Sequence, residues 1–151
     1  MIMKKRILLP ILIASAALMS WQLSTSSFSV VGDSIVRLSI NMNEKLELAE
    51  IKIANNTDGQ LELKWSCLEN TLPSGWDYSM CAYGKCQVGI PEFGTLRSIG
   101  PGKTGFVAIH VLPKGIPGNG RVKFKLIDPI NNANSEIVEF RVSANGSNGK
   151  K

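Results

Sequence analysis

The sequence predicts an all-β protein: an immunoglobulin-like or fibronectin-III-like antiparallel β-sandwich preceded by an N-terminal signal peptide. Three observations carry this. From Phe28 onward, short β-like runs alternate with turn signals at spacings of about 8 to 12 residues, the rhythm of stacked antiparallel strands. Within those runs apolar and polar side chains alternate, and no segment after the first residues repeats with a helical period. The chain also opens on a basic cluster followed by an apolar run of export-signal length.

Lys4, Lys5 and Arg6 form the positive start of that signal, Ile7 to Met19 its apolar run, and Ala16, Ala17, Ser20, Ser24 and Ser26 the small residues around a cleavage point. Residues 1–26 are assigned to it, with Ala14-Ser15-Ala16 and Ser24-Thr25-Ser26 as alternative cleavage sites. The run is shorter than the roughly 20 apolar residues of a spanning helix, so no membrane span is expected once it is removed. The other reading is an uncleaved anchor. Export also changes the charge argument. The whole chain has 17 basic and 12 acidic residues; without Lys4, Lys5 and Arg6, 14 basic residues face 12 acidic ones. A nearly neutral domain does not carry the basic footprint of a nucleic-acid binder.

The domain is expected over residues 28–143. In "SIVRLSINM", Val36, Leu38, Ile40 and Met42 share one face and Arg37, Ser39 and Asn41 the other. "KLELAEIKIAN" changes parity: Leu46 and Leu48 alternate on one phase, Ile51 and Ile53 on the other, which reads as a bulge or break at Ala49-Glu50. Asp58-Gly59 in "NNTDGQ" is a hairpin signal. "LELKWSCL" then puts Leu61, Leu63, Trp65 and Cys67 on one face. "GPGKTG" separates "TLRSI" from "FVAIHVL", and "PKGIPGNG" precedes "RVKFKLI", where Val122, Phe124 and Leu126 point inward. "DPINNANSE" makes the last turn, and "EIVEFRV" buries Val138, Phe140 and Val142. Residues 144–151 read as a polar disordered tail. About seven to nine strands result, enough for two sheets packed face to face, with a jelly roll as the second architecture.

The chemistry concentrates in "LPSGWDYSMCAYGKC". Cys81 and Cys86 flank four residues with a central glycine, a spacing that lets the sulfurs meet across a tight loop; in an oxidising compartment a structural disulfide is the expected outcome. The pair is not C-x-x-C, which argues against a redox motif. Cys67 is left over, either as an apolar core thiol or as a partner in an alternative or intermolecular bridge. A copper site needs two histidines and a cysteine, whereas His110 is the single histidine of the chain and shares its face with Ala108 and Leu112. No metal and no cofactor is therefore expected. G-x-S-x-G, Walker and H-E-x-x-H patterns are missing, and Glu47, Glu50, Glu62 and Glu69 alternate with apolar residues as solvated strand faces do. The chain is read as no enzyme.

Two sets of residues are candidates for binding. Trp76, Tyr78 and Tyr83 lie in or beside the cysteine loop, where exposed rings would stack on a sugar or meet a protein and buried ones would close the end of the sandwich. Arg121, Lys123 and Lys125 line one face of one strand, as a solvated face or as a patch for an acidic glycan or other anion. Asn55-Asn56-Thr57 and Asn145-Gly146-Ser147 match the glycosylation pattern but are read as turn residues.

Taken in order, "EIKIANNTDGQLELKW", "LPSGWDYSMCAYGKC" and "GPGKTGFVAIHVLPKGIPGNGRVKFKLID" resemble the small immunoglobulin-like modules of proteins secreted by Gram-negative bacteria. The resemblance rests on Asn55 before a turn, Trp65, the Pro73-x-Gly75-Trp76 corner before Cys81 and Cys86, Pro101-Gly102, His110-Val111-x-Pro113-x-Gly115, and Gly118-x-Gly120. It implies the sandwich and an exported location. It implies no defined activity, because such folds host many roles. Cys67 is extra to the pattern, and the module is expected to stand without a catalytic domain or C-terminal sorting segment.

The expectation is an exported, non-enzymatic module acting by binding or assembly in the periplasm or at the cell surface, with a protein or glycan partner. The alternatives are a carbohydrate-binding module built on the aromatics of the cysteine loop, and a small metal or redox protein using the cysteine pair and His110.

Overall fold

The computed structural model describes residues 26–43 and 45–146; the expected signal peptide and the end of the expected tail lie outside them, apart from Ser26 and residues 144–146. Ten strands and no helix are present among the described residues. They are β1 (Phe28–Val31), β2 (Ile35–Asn41), β3 (Glu47–Asn55), β4 (Lys64–Asn70), β5 (Asp77–Ala82), β6 (Lys85–Val88), β7 (Phe93–Thr95), β8 (Thr104–Leu112), β9 (Gly118–Ile127) and β10 (Ser135–Asn145). Two five-stranded sheets result, in the orders β1-β3-β8-β5-β6 and β2-β10-β9-β4-β7. The sandwich is as the alternation predicted, with one correction: β2 and β10 run parallel, from Ile35 opposite Glu139 to Asn41 opposite Asn145, so the second sheet is mixed. Parallel neighbours require a long connection, and these two strands come from opposite ends of the domain.

The core lies between the sheets and is built from the inward phase of each strand. The first sheet contributes Ile51, Ile53, Met80, Val107, Ile109 and Val111; the second contributes Trp65, Val122, Phe124, Leu126, Val138 and Phe140, all essentially inaccessible. Phe124 stands edge-on to Trp65 at 5.6 Å and to Phe140 at 6.3 Å, arrangements that add to the roughly 1.5–3 kcal/mol that burying each large apolar side chain contributes.

Three local expectations are corrected. The break at Ala49-Glu50 does not occur: β3 pairs with β8 without a shift from Glu47 opposite Val111 to Ala54 opposite Thr104. Ala49 already belongs to the inward phase of Ile51 and Ile53, and Leu46 and Leu48 are exposed. Asp58-Gly59 does not close a hairpin. The turn carries the chain from β3 in one sheet to β4 in the other, through a bridge between Leu61 and Ile99. Asn55 pins this crossing. Its Nδ2 donates to the carbonyls of Gly59, Ile99 and Gly100 at 2.8, 2.8 and 3.0 Å, and its Oδ1 accepts from the Thr57 N–H and hydroxyl, both at 2.8 Å. A fully used, 3 % exposed amide is part of the fold and offers no face to a modifying enzyme. The tail starts later than residue 144: β10 runs to Asn145, with Ala144 buried.

Candidate functional site

The cysteine loop is built from β5 and β6. Their hairpin turns through Tyr83 and Gly84, where a φ of 93° favours glycine. Cys81 and Cys86 are directly opposite each other in this hairpin and form a disulfide. It lies on the outer side of the first sheet, since Cys81 also pairs with Ala108 while the neighbouring Met80 points into the core. His110 is one rung away on the same side, its Nδ1 3.7 Å from the Cys81 sulfur. The structure therefore does bring His110 beside the cysteine pair. The sulfurs are bonded to each other, however, and no group of three or more histidine, cysteine, aspartate or glutamate side chains among the described residues is placed to hold a metal ion.

Cys67 is a free thiol at the bulge where β4 slips against β9 between Cys67 and Glu69. It is half-buried rather than a full core residue: its S–H reaches the Glu69 carbonyl at 3.4 Å, and burial pushes its pKa up, which makes a poor nucleophile at neutral pH.

Of the aromatic candidates, Trp76 is buried and Tyr78 and Tyr83 are half-buried. Trp76 is 3 % exposed and its indole N–H donates to the Ile116 carbonyl at 3.0 Å. The corner that seats it is tight. A turn closes from the Trp76 N–H to the Pro73 carbonyl, and a Cβ on Gly75 would stand 2.6 Å from Ile116. Tyr83 is half-buried with its ring edge-on to Phe106 at 5.6 Å, and Tyr78 is half-buried against the core. Trp76 and Tyr78 edge a small depression of about 250 Å³ with Val88 and Gly89. Trp76 thus presents no ring face to a sugar, and the stacking platform loses its main residue. A buried indole and an exposed one look identical in a loop sequence; here the segment after β8 covers the ring, with the Ile116 carbonyl on the indole N–H and Gly118 beside the ring.

The cations of β9 do reach the surface, on the outer face of the second sheet, but they are not a free row. Arg121 and Lys123 clasp one carboxylate, Glu69, at 2.6 and 3.1 Å. These hydrogen bonds, Arg121 first and Lys123 second, hold Glu69 below the usual carboxylate range. Lys125 sits further along between Ser66 and Ile137. On β10, Arg141 grips Glu139 with two nitrogens, at 2.7 and 3.3 Å, which lowers the Glu139 pKa and raises that of Arg141. Beside these pairs lies an open groove of about 610 Å³ that includes Arg37, Arg121 and Arg141. Arg37 and Arg141 were not singled out by sequence. Each is one polar residue in an alternating strand, and only the register of three strands places them with Arg121.

A second surface is the lateral edge made by β6 and β7, which are consecutive in the chain and end the two sheets. It carries Val88, 96 % exposed, and Phe93, 75 % exposed; Leu68, on the bulge of the adjoining β4, is also exposed.

No protein-family model matches the chain. No curated protein matches it either. Solved structures do. The N-terminal domain of PorA superposes with a TM-score of 0.53 at 12 % identity, over 74 % of this chain and 87 % of that one. The PapD-like domain 7 of human CEP192 gives 0.50 at 12 % identity, over 91 % and 99 % of the two chains. A family 123 glycoside hydrolase from Clostridium perfringens gives 0.51 at 8 % identity; the match takes in 80 % of this chain and 28 % of the hydrolase. At such identities the likeness is one of fold: the chain is an all-β, immunoglobulin-like β-sandwich.

Proposed function

We propose that this protein is an exported, non-enzymatic module of the small immunoglobulin-like type found in Gram-negative secreted proteins. In this reading it binds another exported protein along the edge made by β6 and β7. The observation that carries it is the pair Val88, almost fully exposed, and Phe93, largely exposed, on the edge strands of the two sheets. A soluble domain ordinarily protects its strand edges with charge, proline or cover, since an unpaired edge is a template for a further strand. Large apolar side chains left on such an edge are the features a strand-adding partner uses, through backbone hydrogen bonds and alternate side-chain contacts. The disulfide between Cys81 and Cys86 supports export, because such bonds persist in oxidising compartments. The sugar-stacking reading loses Trp76, its main ring, to burial, and the metal or redox reading has only His110 beside an already oxidised pair.

The test is site-specific photo-crosslinking in the producing cell. A crosslinking residue at Val88 or Phe93 is expected to trap a discrete protein adduct, and one at Ile130, equally exposed on the β9–β10 turn, is expected to trap none. Adducts of equal yield from all three positions, or from none, would refute the edge reading.

A further inference from the structure

The outer face of the second sheet has an organisation that its own stability does not explain. Arg37 on β2 is directly opposite Arg141 on β10, and Arg141 is directly opposite Arg121 on β9. Like charges facing each other across strands are destabilising, yet three arginines form one row over three neighbouring strands. The two carboxylates beside them do not balance the patch. Glu139 takes Arg141, and Glu69 is shared by Arg121 and Lys123. Arg37 makes no ion pair among the described residues. What the carboxylates do is aim guanidinium groups: Glu139 is only 6 % exposed and grips Arg141 in a fork, which limits its freedom before any ligand arrives.

Two residues further along the same strands, about 6.7 Å away, the next row is neutral and polar. Ser39 is opposite Ser143, and Ser143 is opposite Asn119; the two serine hydroxyls are 3.3 Å apart. Thr71 walls the groove, tied to the Arg121 backbone in both directions at 2.9 and 3.0 Å. The approach is possible because residue 120 is glycine: a Cβ there would lie 2.7 Å from the Thr71 carbonyl oxygen. The open groove of about 610 Å³ is of the size of small-ligand sites. No aromatic side chain lines it, so it offers no stacking surface for nucleic-acid bases.

We propose that this groove binds an acidic saccharide, with a carboxylate or sulfate on the Arg37–Arg141–Arg121 row and ring hydroxyls on the Ser39–Ser143–Asn119 row. Planar guanidinium forks match oxyanions in two-point contact. Hydroxyl and amide groups one row away both donate and accept, as sugar hydroxyls require. The site lies on a sheet face and is independent of the β6–β7 edge.

Calorimetric titration of the purified protein tests it, with trigalacturonate and a chondroitin sulfate tetrasaccharide as the carboxylate and sulfate probes. Maltotriose, inorganic sulfate and pentaglutamate are the comparisons. At least one acidic oligosaccharide is expected to bind at low salt and to weaken as salt rises, while maltotriose does not bind. Arg37→Gln should weaken that binding about ten-fold with an unchanged melting curve. Ser39→Ala with Ser143→Ala should weaken the oligosaccharide but leave inorganic sulfate unaffected. Binding that is equal for pentaglutamate, equal for inorganic sulfate (an adventitious ion only), indifferent to Arg37→Gln, or absent for both oligosaccharides would overturn the proposal.

Discussion

The cysteine-loop corner and the outer face of the second sheet differ in what their conspicuous residues do. The corner holds a tryptophan, two tyrosines and a disulfide, the residue types most often associated with a binding loop, yet the tryptophan is buried, the tyrosines are half-buried and the disulfide staples the β5–β6 hairpin. The sheet face holds arginines and serines in an alternating pattern that reads as solvated surface, and it gathers them into a groove. Conspicuous side chains in one stretch of sequence are therefore a weaker guide to a site than ordinary ones that converge from three strands.

The sharpest way to break the contrast is Trp76→Ala. If the corner is structural, emptying a site that is 3 % exposed should cost about 3–5 kcal/mol in urea unfolding; a loss under about 1 kcal/mol would return Trp76 to the candidates for binding. Next in size is the disulfide. Replacing Cys81 and Cys86 by serine together removes a small closed loop, expected to cost about 2 kcal/mol by chain entropy. Fold and edge crosslinking should both survive if the bond is a staple. Smaller again is the effect of acid. Glu69 and Glu139 have carboxyls held below their ordinary values by their arginine partners. The stability they add is complete above the unfolded value of about 4.3 and is lost as pH falls through the depressed folded values. Melting temperature should thus fall below pH 4, and the fall should be shallower in Glu69→Gln, Glu139→Gln protein. The smallest effect sharpens the other side: Arg37→Gln should change stability by no more than about 0.5 kcal/mol, because Arg37 is exposed and makes no ion pair among the described residues. A larger loss would make the arginine row part of the scaffold.

Much of the fold was legible in the chain. Alternation in "SIVRLSINM", "RVKFKLI" and "EIVEFRV" placed the inward residues of β2, β9 and β10, and the Cys81–Cys86 spacing anticipated the bond. The parity of "KLELAEIKIAN" misled because leucines outweigh alanine in a hydrophobic pattern, whereas β3 takes its phase from pairing with β8, which puts Ala49 inside and Leu48 outside. Asp58-Gly59 misled because a turn signal reports that the chain reverses, not which sheet it enters next. Of the groove, only Arg121 was visible beforehand. Nothing local marks Arg37, Ser39, Arg141 or Ser143, which are about a hundred residues apart in sequence.

What the chain by itself determined is the class of structure: strands, turns, the buried phase of most strands and a closed cysteine pair. These depend on local propensity and a period of two, which neighbouring residues settle among themselves. The tertiary structure alone decided which face each exposed residue shares and with whom. Register between β2, β10 and β9 is a long-range choice, made by burying Ile40, Val122, Phe140 and Val142 on the inner side. The arginine row on the outer side follows from that burial, because shifting any one of these strands by a single residue would send its polar face into the core.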